Sequence, residues 1–365
     1  MRMNPSREVE LRVIRGHRFG MATSSPDKIV RIGFIGAGGI VKQRHLPALK
    51  AMPEVKITAV ANSTLASAKA FCAEHAPDAK AHERWEDVAA DPDVDVVWIG
   101  ATPWMHSSAT QLALANGKHV FTQARMARDL AEAGQMWEAS LRYPELVTAI
   151  CPAPHGMAAG ELVKKLISEG EIGDVHQAML HSFSDSWFDP TKPAHWRQRV
   201  DISGLQVLTL GIYIEVLHRW LGDITEVQAA SGLMFAQRGD YTVEVPDYLN
   251  VLCKFRNGAQ GVLMFSGVAS HPPGDQLTLF GTEGTLVYDF VADTVKLGKR
   301  GGALEVVPVP EDLRRTWTVE RDFINAVLDP SAPRPKPDFI EGMRYMRVVQ
   351  AVAVAEDSGE RQTVC

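Results

Sequence analysis

A glycine-rich stretch near residue 36 has the residue types of a phosphate-binding turn. It reads Gly36-Ala37-Gly38-Gly39-Ile40-Val41 and follows a short apolar run at residues 29–35. Between a strand and a helix, the first glycine permits a tight bend and the second lets the backbone approach a pyrophosphate, whose charge then lies on the helix N-terminus. We therefore expect a dinucleotide to bind at Gly36, Ala37, Gly38, Gly39 and Ile40. Val41 stands where a third small residue is usual.

The type of dinucleotide depends on the residues that would face the adenosine ribose. Asn62 and Ser63 end the second apolar run, where an acidic residue would repel a 2′-phosphate. Asn bonds either a hydroxyl or a phosphate. Lys42 and Arg44 add positive charge early in the first helix, although a solvated helix face is the better explanation for each of them singly. The sequence slightly favours NADP, with NAD as the alternative.

The elements around this turn alternate between strand and helix up to about residue 150. Short apolar runs predict four strands, and segments of 10–15 residues between them predict helices. The strands are expected at Ile29–Ile35, Val55–Ala61, Val96–Ile99 and His119–Thr122, and the helices at 40–51, 66–75, 107–116 and 127–141. This order predicts a doubly wound parallel sheet, a Rossmann domain over residues 28–150, with its binding crevice at the carboxyl ends of the strands.

The pattern changes in residues 151–365. Helices are expected at Gly160–Gly173 and Gln206–Leu221, followed by alternating segments between turn signals. Five strands are expected at Tyr248–Phe255, Gly261–Ser266, Leu277–Phe280, Thr285–Phe290 and Thr294–Leu297. We predict an α+β domain with a large open, mainly antiparallel sheet, and C-terminal helices that pack back on the first domain. Residues 1–27 are polar and are expected to form a flexible leader.

Composition excludes several classes of protein. The 365 residues are 45% hydrophobic and 22% charged, with a net charge of −6 and therefore no basic surplus for nucleic acid. No apolar run reaches the roughly 18 residues of a membrane helix. The four cysteines (Cys72, Cys151, Cys253 and Cys365) are scattered, which is typical of free thiols in the cytoplasm, and no metal site is expected.

The order and spacing of several short motifs resemble one known family from Val30 onward, the glucose–fructose oxidoreductase/inositol dehydrogenase (Gfo/Idh/MocA) group. Besides the glycine turn, the motifs are Thr102-Pro103 with His106, Asn116-Gly117-Lys118-His119-Val120-Phe121, Glu169-Gly170-Glu171-Ile172-Gly173, Trp196-Arg197, Ser203-Gly204, Leu221-Gly222, Asn257-Gly258-Ala259 and Gly281-Thr282-Glu283-Gly284-Thr285-Leu286. The resemblance implies cofactor contacts at Thr102, Pro103, His106 and Gln123. It also implies a sugar-like substrate and a homodimer or homotetramer joined through the second sheet.

Two catalytic motifs of that family are altered in this chain. Its Glu-Lys-Pro is replaced by Gln123-Ala124-Arg125, so the lysine position holds Ala124. Its Asp-x-Gly-x-His becomes Thr209-Leu210-Gly211-Ile212-Tyr213. Because a cis bond before a residue other than proline costs about 3 kcal/mol, we expect a trans path at residue 125.

Alcohol oxidation needs a base whose pKa lies near the working pH. Tyr213 is our first candidate, with Arg125 as the cation that would lower its pKa from about 10. His155 is the second, although a histidine bonded to backbone in a Pro-rich turn explains it equally well. Trp196, Arg197 and Thr209 are expected to bind substrate, since aromatic faces pack on sugar rings while polar groups bond the hydroxyls.

The leading hypothesis is an NAD(P)-dependent oxidoreductase acting on a sugar, cyclitol or related hydroxy or keto compound. One alternative is a redox-neutral lyase or hydrolase with a bound, cycling cofactor. Another is a non-catalytic nucleotide- or ligand-binding protein on the same scaffold.

Overall fold

Two large sheets organise the chain in a computed structural model that describes residues 28–152 and 157–364. The expected leader, residues 1–27, and His155 lie outside the described residues. Among the residues that are described, no helix is both long and apolar enough to cross a membrane. Cys72, Cys151 and Cys253 are buried free thiols.

The first sheet has six parallel strands in the order β3-β2-β1-β4-β5-β6. Its core strands are continuous apolar runs because helices cover both faces. The elements are β1 (Val30–Ile35), α1 (Leu46–Lys50), β2 (Val55–Ala61), α2 (Leu65–His75), β3 (Lys80–His82), α3 (Trp85–Ala90), β4 (Val96–Ile99), α4 (His106–Ala115), β5 (His119–Thr122), α5 (Leu130–Arg142) and β6 (Thr148–Ile150). The predicted doubly wound sheet is confirmed.

The second sheet has nine strands in the order β16-β15-β14-β13-β7-β12-β11-β8-β17, antiparallel except where β7 pairs with β12. Its elements are α6 (Gly160–Ser168), β7 (Val175–Phe183), α7 (Val200–Ser203), α8 (Leu210–Leu221), β8 (Ile224–Gly232), β9 (Gln237–Arg238), β10 (Tyr241–Thr242), β11 (Tyr248–Phe255), β12 (Gln260–Ser266), β13 (Asp275–Gly281), β14 (Gly284–Asp289), β15 (Thr294–Lys299), β16 (Glu305–Val307), α9 (Val319–Leu328), α10 (Phe339–Ser358) and β17 (Gln362–Thr363). The predicted large, mainly antiparallel sheet is confirmed, and β9 and β10 form a separate small ribbon.

The C-terminal helices connect the two halves of the molecule. Phe323 and Ile324 of α9 lie in the same apolar cluster as β1 and β4, against the first sheet. Helix α10 contacts both α5 and β8. The hydroxyl of its Tyr345 accepts a hydrogen bond from the Met126 amide at 2.5 Å. These contacts fix the loop after β5 relative to the second sheet.

Several local predictions were wrong. The helix expected at 40–51 begins with a π-helical turn, Val41–His45, before α1. The strands that were not predicted are β3, β6, β7, β8, β9, β10, β16 and β17. In β7, the buried positions are Ala178, Leu180 and Ser182, and the strand also contains His176, Gln177 and His181, so the apolar signal is weak.

Candidate functional site

The glycine turn after β1 has the shape that a dinucleotide needs. Gly36 has φ of 84°, and a Cβ there would lie 2.6 Å from the Ala101 amide nitrogen, so only glycine fits. A Cβ on Gly38 or Gly39 would meet nothing within 4 Å. The turn therefore presents open backbone at the carboxyl edge of the sheet, and it fits the pyrophosphate of a dinucleotide.

Asn62 braces this turn from the end of β2. Its Oδ1 accepts a hydrogen bond from the Ala37 amide at 2.7 Å, and its Nδ2 donates to the Ser67 carbonyl at 3.2 Å. Ser63 follows it, and the Thr64 side chain caps α2. Lys42, expected to supply charge for a 2′-phosphate, lies with its Nζ 5.8 Å from the centre of the Phe71 ring. Asn62 thus holds the turn in place, and the second hydrogen of its amide remains for a ribose substituent.

His106 connects the loops that follow β4 and β5. Its Nδ1 lies 3.0 Å from the Arg125 carbonyl and its Nε2 lies 3.0 Å from the Ala101 carbonyl. The ring is fully buried, and burial lowers its pKa. Both ring nitrogens face backbone, so His106 positions the loops and is not directed at a cofactor. Thr102 and Pro103 lie in the first of these loops, where Pro103 begins a short 3₁₀ turn.

Gln123 belongs to a buried polar network that the sequence did not indicate. Its Nε2 lies 2.6 Å from His45 Nε2, and His45 Nδ1 lies 2.5 Å from Glu320 Oε1. The Trp317 indole donates to the same carboxylate oxygen at 2.9 Å. His45 and Glu320 are 275 positions apart, so no local pattern could link them. The network ties the loop after β5 to the start of α9.

Arg125 is buried and makes only uncharged contacts. The Ala124–Arg125 peptide bond is cis, so the expected trans path is wrong. The guanidinium, 1% exposed, donates from Nη1 to the Leu208 carbonyl and from Nη2 to Ser203 Oγ at 2.9 Å. Burial, with Arg197 nearby, lowers the pKa of Arg125 to about 9. The guanidinium of Arg125 is therefore shielded from water, and no carboxylate among the residues described pairs with it.

Tyr213 differs from its expected state. Its hydroxyl donates to the Asp275 carboxylate, and burial and this carboxylate raise its pKa. The expectation that Arg125 lowers the pKa of Tyr213 is therefore wrong, because the group beside the phenol is an acid from β13 and not the guanidinium. Ser182 opposes this rise in the pKa of Tyr213.

Thr209 extends this chain of hydroxyls toward a pocket. Thr209 Oγ1 and Ser182 Oγ are 2.9 Å apart, and Thr209 lines the pocket wall. Ser182 and Asp275 pair across β7 and β13. The hydroxyl pair of Thr209 and Ser182 therefore lies next to the hydrogen-bonded pair of Tyr213 and Asp275. Sequence reasoning missed the two from the sheet because β7 was not predicted.

The pocket itself has a volume of about 680 Å³ and lies between the loop at residues 184–198 and the start of α8. It brings together Trp196, Arg197 and Thr209, the three expected substrate residues. Its other lining residues include hydroxyl, aromatic and basic groups: Ser184, Ser186, Trp187, Lys192, His195 and Arg238. Leu208, whose carbonyl Arg125 binds, also lines it, so the pocket adjoins the loop after β5.

His195 was not predicted as a site residue but stands in the pocket wall. Its Nδ1 accepts a hydrogen bond from the Arg197 amide at 3.2 Å, so in the neutral ring Nε2 carries the hydrogen. Desolvation together with Arg197 and Arg125 lowers its pKa. The ring is therefore neutral at pH 7, and its Nε2–H is a hydrogen-bond donor in a residue of the pocket wall.

A larger cleft, about 790 Å³, lies on the other side of α8 between α6 and residues 315–341. We place the candidate site in the smaller pocket, because its wall residue Leu208 is bonded to Arg125 in the loop after β5, whereas the wall of the larger cleft includes neither Leu208 nor Thr209. Within residues 28–152 and 157–364, no group of three His, Cys, Asp or Glu side chains is arranged to hold a metal ion.

Two family models match this chain in succession. The model of the oxidoreductase family with an NAD-binding Rossmann fold matches residues 30–149, and the GFO/IDH/MocA C-terminal domain model matches residues 161–287.

Two curated relatives of the chain are sugar-acting enzymes by name. A dTDP-3,4-didehydro-2,6-dideoxy-alpha-D-glucose 3-reductase from Streptomyces antibioticus is 28% identical over 317 residues, which cover 83% of this chain and 90% of the relative. A levoglucosan dehydrogenase from Pseudarthrobacter phenanthrenivorans is 26% identical over 295 residues, covering 72% and 74%.

Solved structures share the fold over nearly the whole chain. An oxidoreductase domain protein from Kribbella flavida has a TM-score of 0.81 at 20% identity, covering 93% of this chain and 100% of its own. A levoglucosan dehydrogenase in complex with NADH has a TM-score of 0.79 at 20% identity, with coverage of 93% and 100%.

Proposed function

We propose the function of this chain from one premise: it belongs to the GFO/IDH/MocA family of NAD-binding oxidoreductases. The proposed activity is hydride transfer between a nicotinamide cofactor and a sugar, cyclitol or related hydroxy or keto compound. The observation that carries it is the position of the pocket. Its wall residue Leu208 accepts a hydrogen bond from Arg125, which lies in the loop after β5. That loop lies at the same edge of the first sheet as the open glycine turn. The curated relatives, named as dehydrogenases and reductases, favour it over redox-neutral or non-catalytic alternatives.

The dinucleotide would be held by the turn at Gly36–Ile40, with its ribose near Asn62 and Ser63 and its nicotinamide half beside Thr102 and Pro103. When bound, the nicotinamide supplies or accepts the hydride. We retain the slight preference for NADP, because Asn62 brings no negative charge to the ribose and Lys42 and Arg44 are exposed cations nearby.

Proton movement is assigned to the hydroxyls of Thr209, Ser182 and Tyr213, with Tyr213 as the central member. During oxidation, Thr209 accepts the proton of the substrate hydroxyl and passes its own to Ser182, Ser182 passes one to Tyr213, and Tyr213 gives its proton to Asp275. Each hydroxyl gains one proton as it loses another, so the raised pKa of Tyr213 is compatible with this role. His195 Nε2–H would donate to the reacting oxygen and hold it in place.

Two further properties are proposed from weaker support. A homodimer or homotetramer would form through the second sheet, whose outward face exposes Tyr248 and Leu252 by 41% and 55%. The buried free thiols Cys72, Cys151 and Cys253 favour the cytoplasm.

Titration of cofactor tests the proposal directly. Gly38→Val places a side chain in the open space of the turn, and we expect it to weaken NADPH and NADH binding at least tenfold in a fluorescence titration. Gly134→Val is the matched control, since a Cβ on this α5 glycine also meets nothing within 4 Å and lies away from the turn. Equal binding by both variants would overturn the cofactor site, and a strong wild-type preference for NADH would overturn the NADP assignment.

A substrate is then found by screening sugars, inositols and their keto forms with both cofactors, following absorbance of the reduced nicotinamide. Turnover of none of them by a protein that binds cofactor would contradict the proposed activity.

A further inference from the structure

Two arginines lie against the same tryptophan at the substrate pocket and lack acidic partners. Arg197 Cζ is 4.1 Å and Arg125 Cζ is 5.8 Å from the centre of the Trp196 ring. Neighbouring arginines are different: Arg128 pairs with Glu132, and Arg199 pairs with Asp201 at 2.9 Å. Among the described residues, no carboxylate lies within 4.0 Å of the guanidinium of Arg125 or Arg197.

A charged group that loses its water contacts is unfavourable in free energy, because the desolvation penalty is offset mainly by an opposite charge nearby. Desolvation lowers the pKa of Arg197 to about 10 and is the largest cause of the lowered pKa of Arg125. Both groups still carry a full charge at neutral pH. Among the described residues, this cost is offset by no carboxylate: Arg125 is held by the Leu208 carbonyl and Ser203 Oγ, and Arg197 by the Trp196 ring.

The rest of the pocket wall does not supply the missing negative charge. Its lining residues include Lys192, Arg197 and Arg238 as cations but no Asp or Glu. Lys192 Nζ lies 3.9 Å from the Asp189 carboxylate, and Arg238, like Arg125, is buried and donates to backbone carbonyl groups. Within the described residues, the guanidinium of Arg197 has neither an ion pair nor a hydrogen bond, so the positive charge open to a ligand is concentrated there.

We propose that the substrate is an anion: a sugar, polyol or related hydroxy compound that carries a carboxylate or a phosphate, bound by Arg197 beside the Trp196 ring. Arg125 adds the second positive charge from behind the pocket wall. The planar guanidinium of arginine binds either oxyanion through paired N–H donors. This inference rests on the proposed function, because it takes the pocket as the substrate site.

Equilibrium binding separates this inference from the proposed activity. With NADPH or NADH bound, tryptophan fluorescence and calorimetry would compare D-glucose, D-glucuronate and D-glucose 6-phosphate. We expect at least one of the two anions to bind about 10- to 100-fold more tightly than glucose, the range typical of hydrogen bonds to charged groups. The stronger of the two identifies the oxyanion. Raising the salt concentration is expected to reduce the preference.

Arg197→Gln is expected to abolish the preference for an anion over glucose while cofactor binding is retained. Arg199→Gln is the matched control, because this arginine is paired with Asp201 and does not line the pocket. Equal binding of glucose and both anions by the wild type, or an anion preference that survives in Arg197→Gln, would overturn the inference. Tight, Arg197-dependent anion binding without hydride transfer to any screened compound would leave it standing and would contradict the proposed activity instead.

Discussion

Removal of a single hydroxyl at Tyr213 separates proton relay from structural support. Tyr213→Phe keeps the ring and its contact with Phe290, whose ring centre is 4.9 Å away, and deletes the bond to Asp275. If the hydroxyl relays the proton, turnover falls by roughly 10²–10⁴-fold, the usual contribution of a positioned proton-transfer group. Cofactor affinity is unchanged, since Tyr213 lies within the second domain.

The same substitution also has a stability cost that must be measured. A hydrogen bond to a charged group contributes about 1.5–3 kcal/mol, and Asp275 is partly exposed, so water replaces some of the lost bond. We expect a loss of about 1–2 kcal/mol in the free energy of unfolding, from urea titration at pH 7.

Tyr288→Phe is a matched control for this experiment. Tyr288 is also buried in the second sheet, and its hydroxyl donates to the Asp293 carboxylate at 2.5 Å, outside the proposed relay. It should lose similar stability and keep full turnover. Asp275→Asn, which retains an acceptor for Tyr213 but removes the final base, should lose turnover with a smaller stability cost. If Tyr213→Phe turns over substrate as fast as Tyr288→Phe, the relay is refuted and Tyr213 is structural.

Two further outcomes concern stability. His218 accepts the Ile224 amide at Nε2, and burial lowers its pKa to about 4. Because the unfolded histidine, pKa about 6.5, binds its proton first, stability is lost as the pH falls from 6.5 toward 4, by about 2 kcal/mol between pH 7 and 5. His218→Gln keeps an acceptor but does not titrate. The difference between its free energies of unfolding at pH 7 and pH 5, from urea titrations, should therefore be about 2 kcal/mol smaller than that of the wild type. An equal difference in the two proteins would show that His218 is not the group whose protonation lowers the stability. Glu320→Ala leaves the buried donors of His45 and Trp317 without their acceptor and should lower the free energy of unfolding by about 2–4 kcal/mol. Glu320→Gln keeps a side-chain oxygen as acceptor and should lower it less. Equal losses in the two variants would show that the side-chain oxygen of residue 320 does not stabilise the fold as an acceptor.

The first sheet was predictable because its signals are local. Strands β1 and β4 are short, continuously buried apolar runs, and Gly36 marks a bend that other residues do not permit. Strand β7 was missed although it lies at the centre of the second sheet. Its place there depends on parallel pairing with β12, some 80 positions later, and no periodicity within residues 175–183 reports that contact.

In the candidate site, too, the residues that motifs mark were predicted, and the contacts between distant segments were not. Trp196, Arg197 and Thr209 were expected together from motif order, and they line one pocket. The predicted direction of the Tyr213 pKa was wrong because burial raises this pKa most, and because the charge beside the phenol, Asp275, is 62 positions away on an unpredicted strand pairing. A pKa depends on burial and on the charges nearby in space, whereas Arg125 was chosen only because it follows Ala124, the residue at the family's lysine position.

The two segments that the resemblance compares with the family's catalytic motifs, residues 123–125 and 209–213, meet in space. Arg125, from the first motif, donates to the carbonyl of Leu208, the residue before Thr209 in the second. The family's lysine and histidine would place two titratable groups here, whereas this chain places a fixed cation beside a group of hydroxyls. A permanent positive charge near that group stabilises the negative charge that develops on the substrate oxygen as its proton leaves. On the proposed function, Arg125 therefore supplies the electrostatic part of the missing lysine's work, and Thr209 through Asp275 supply the proton transfer.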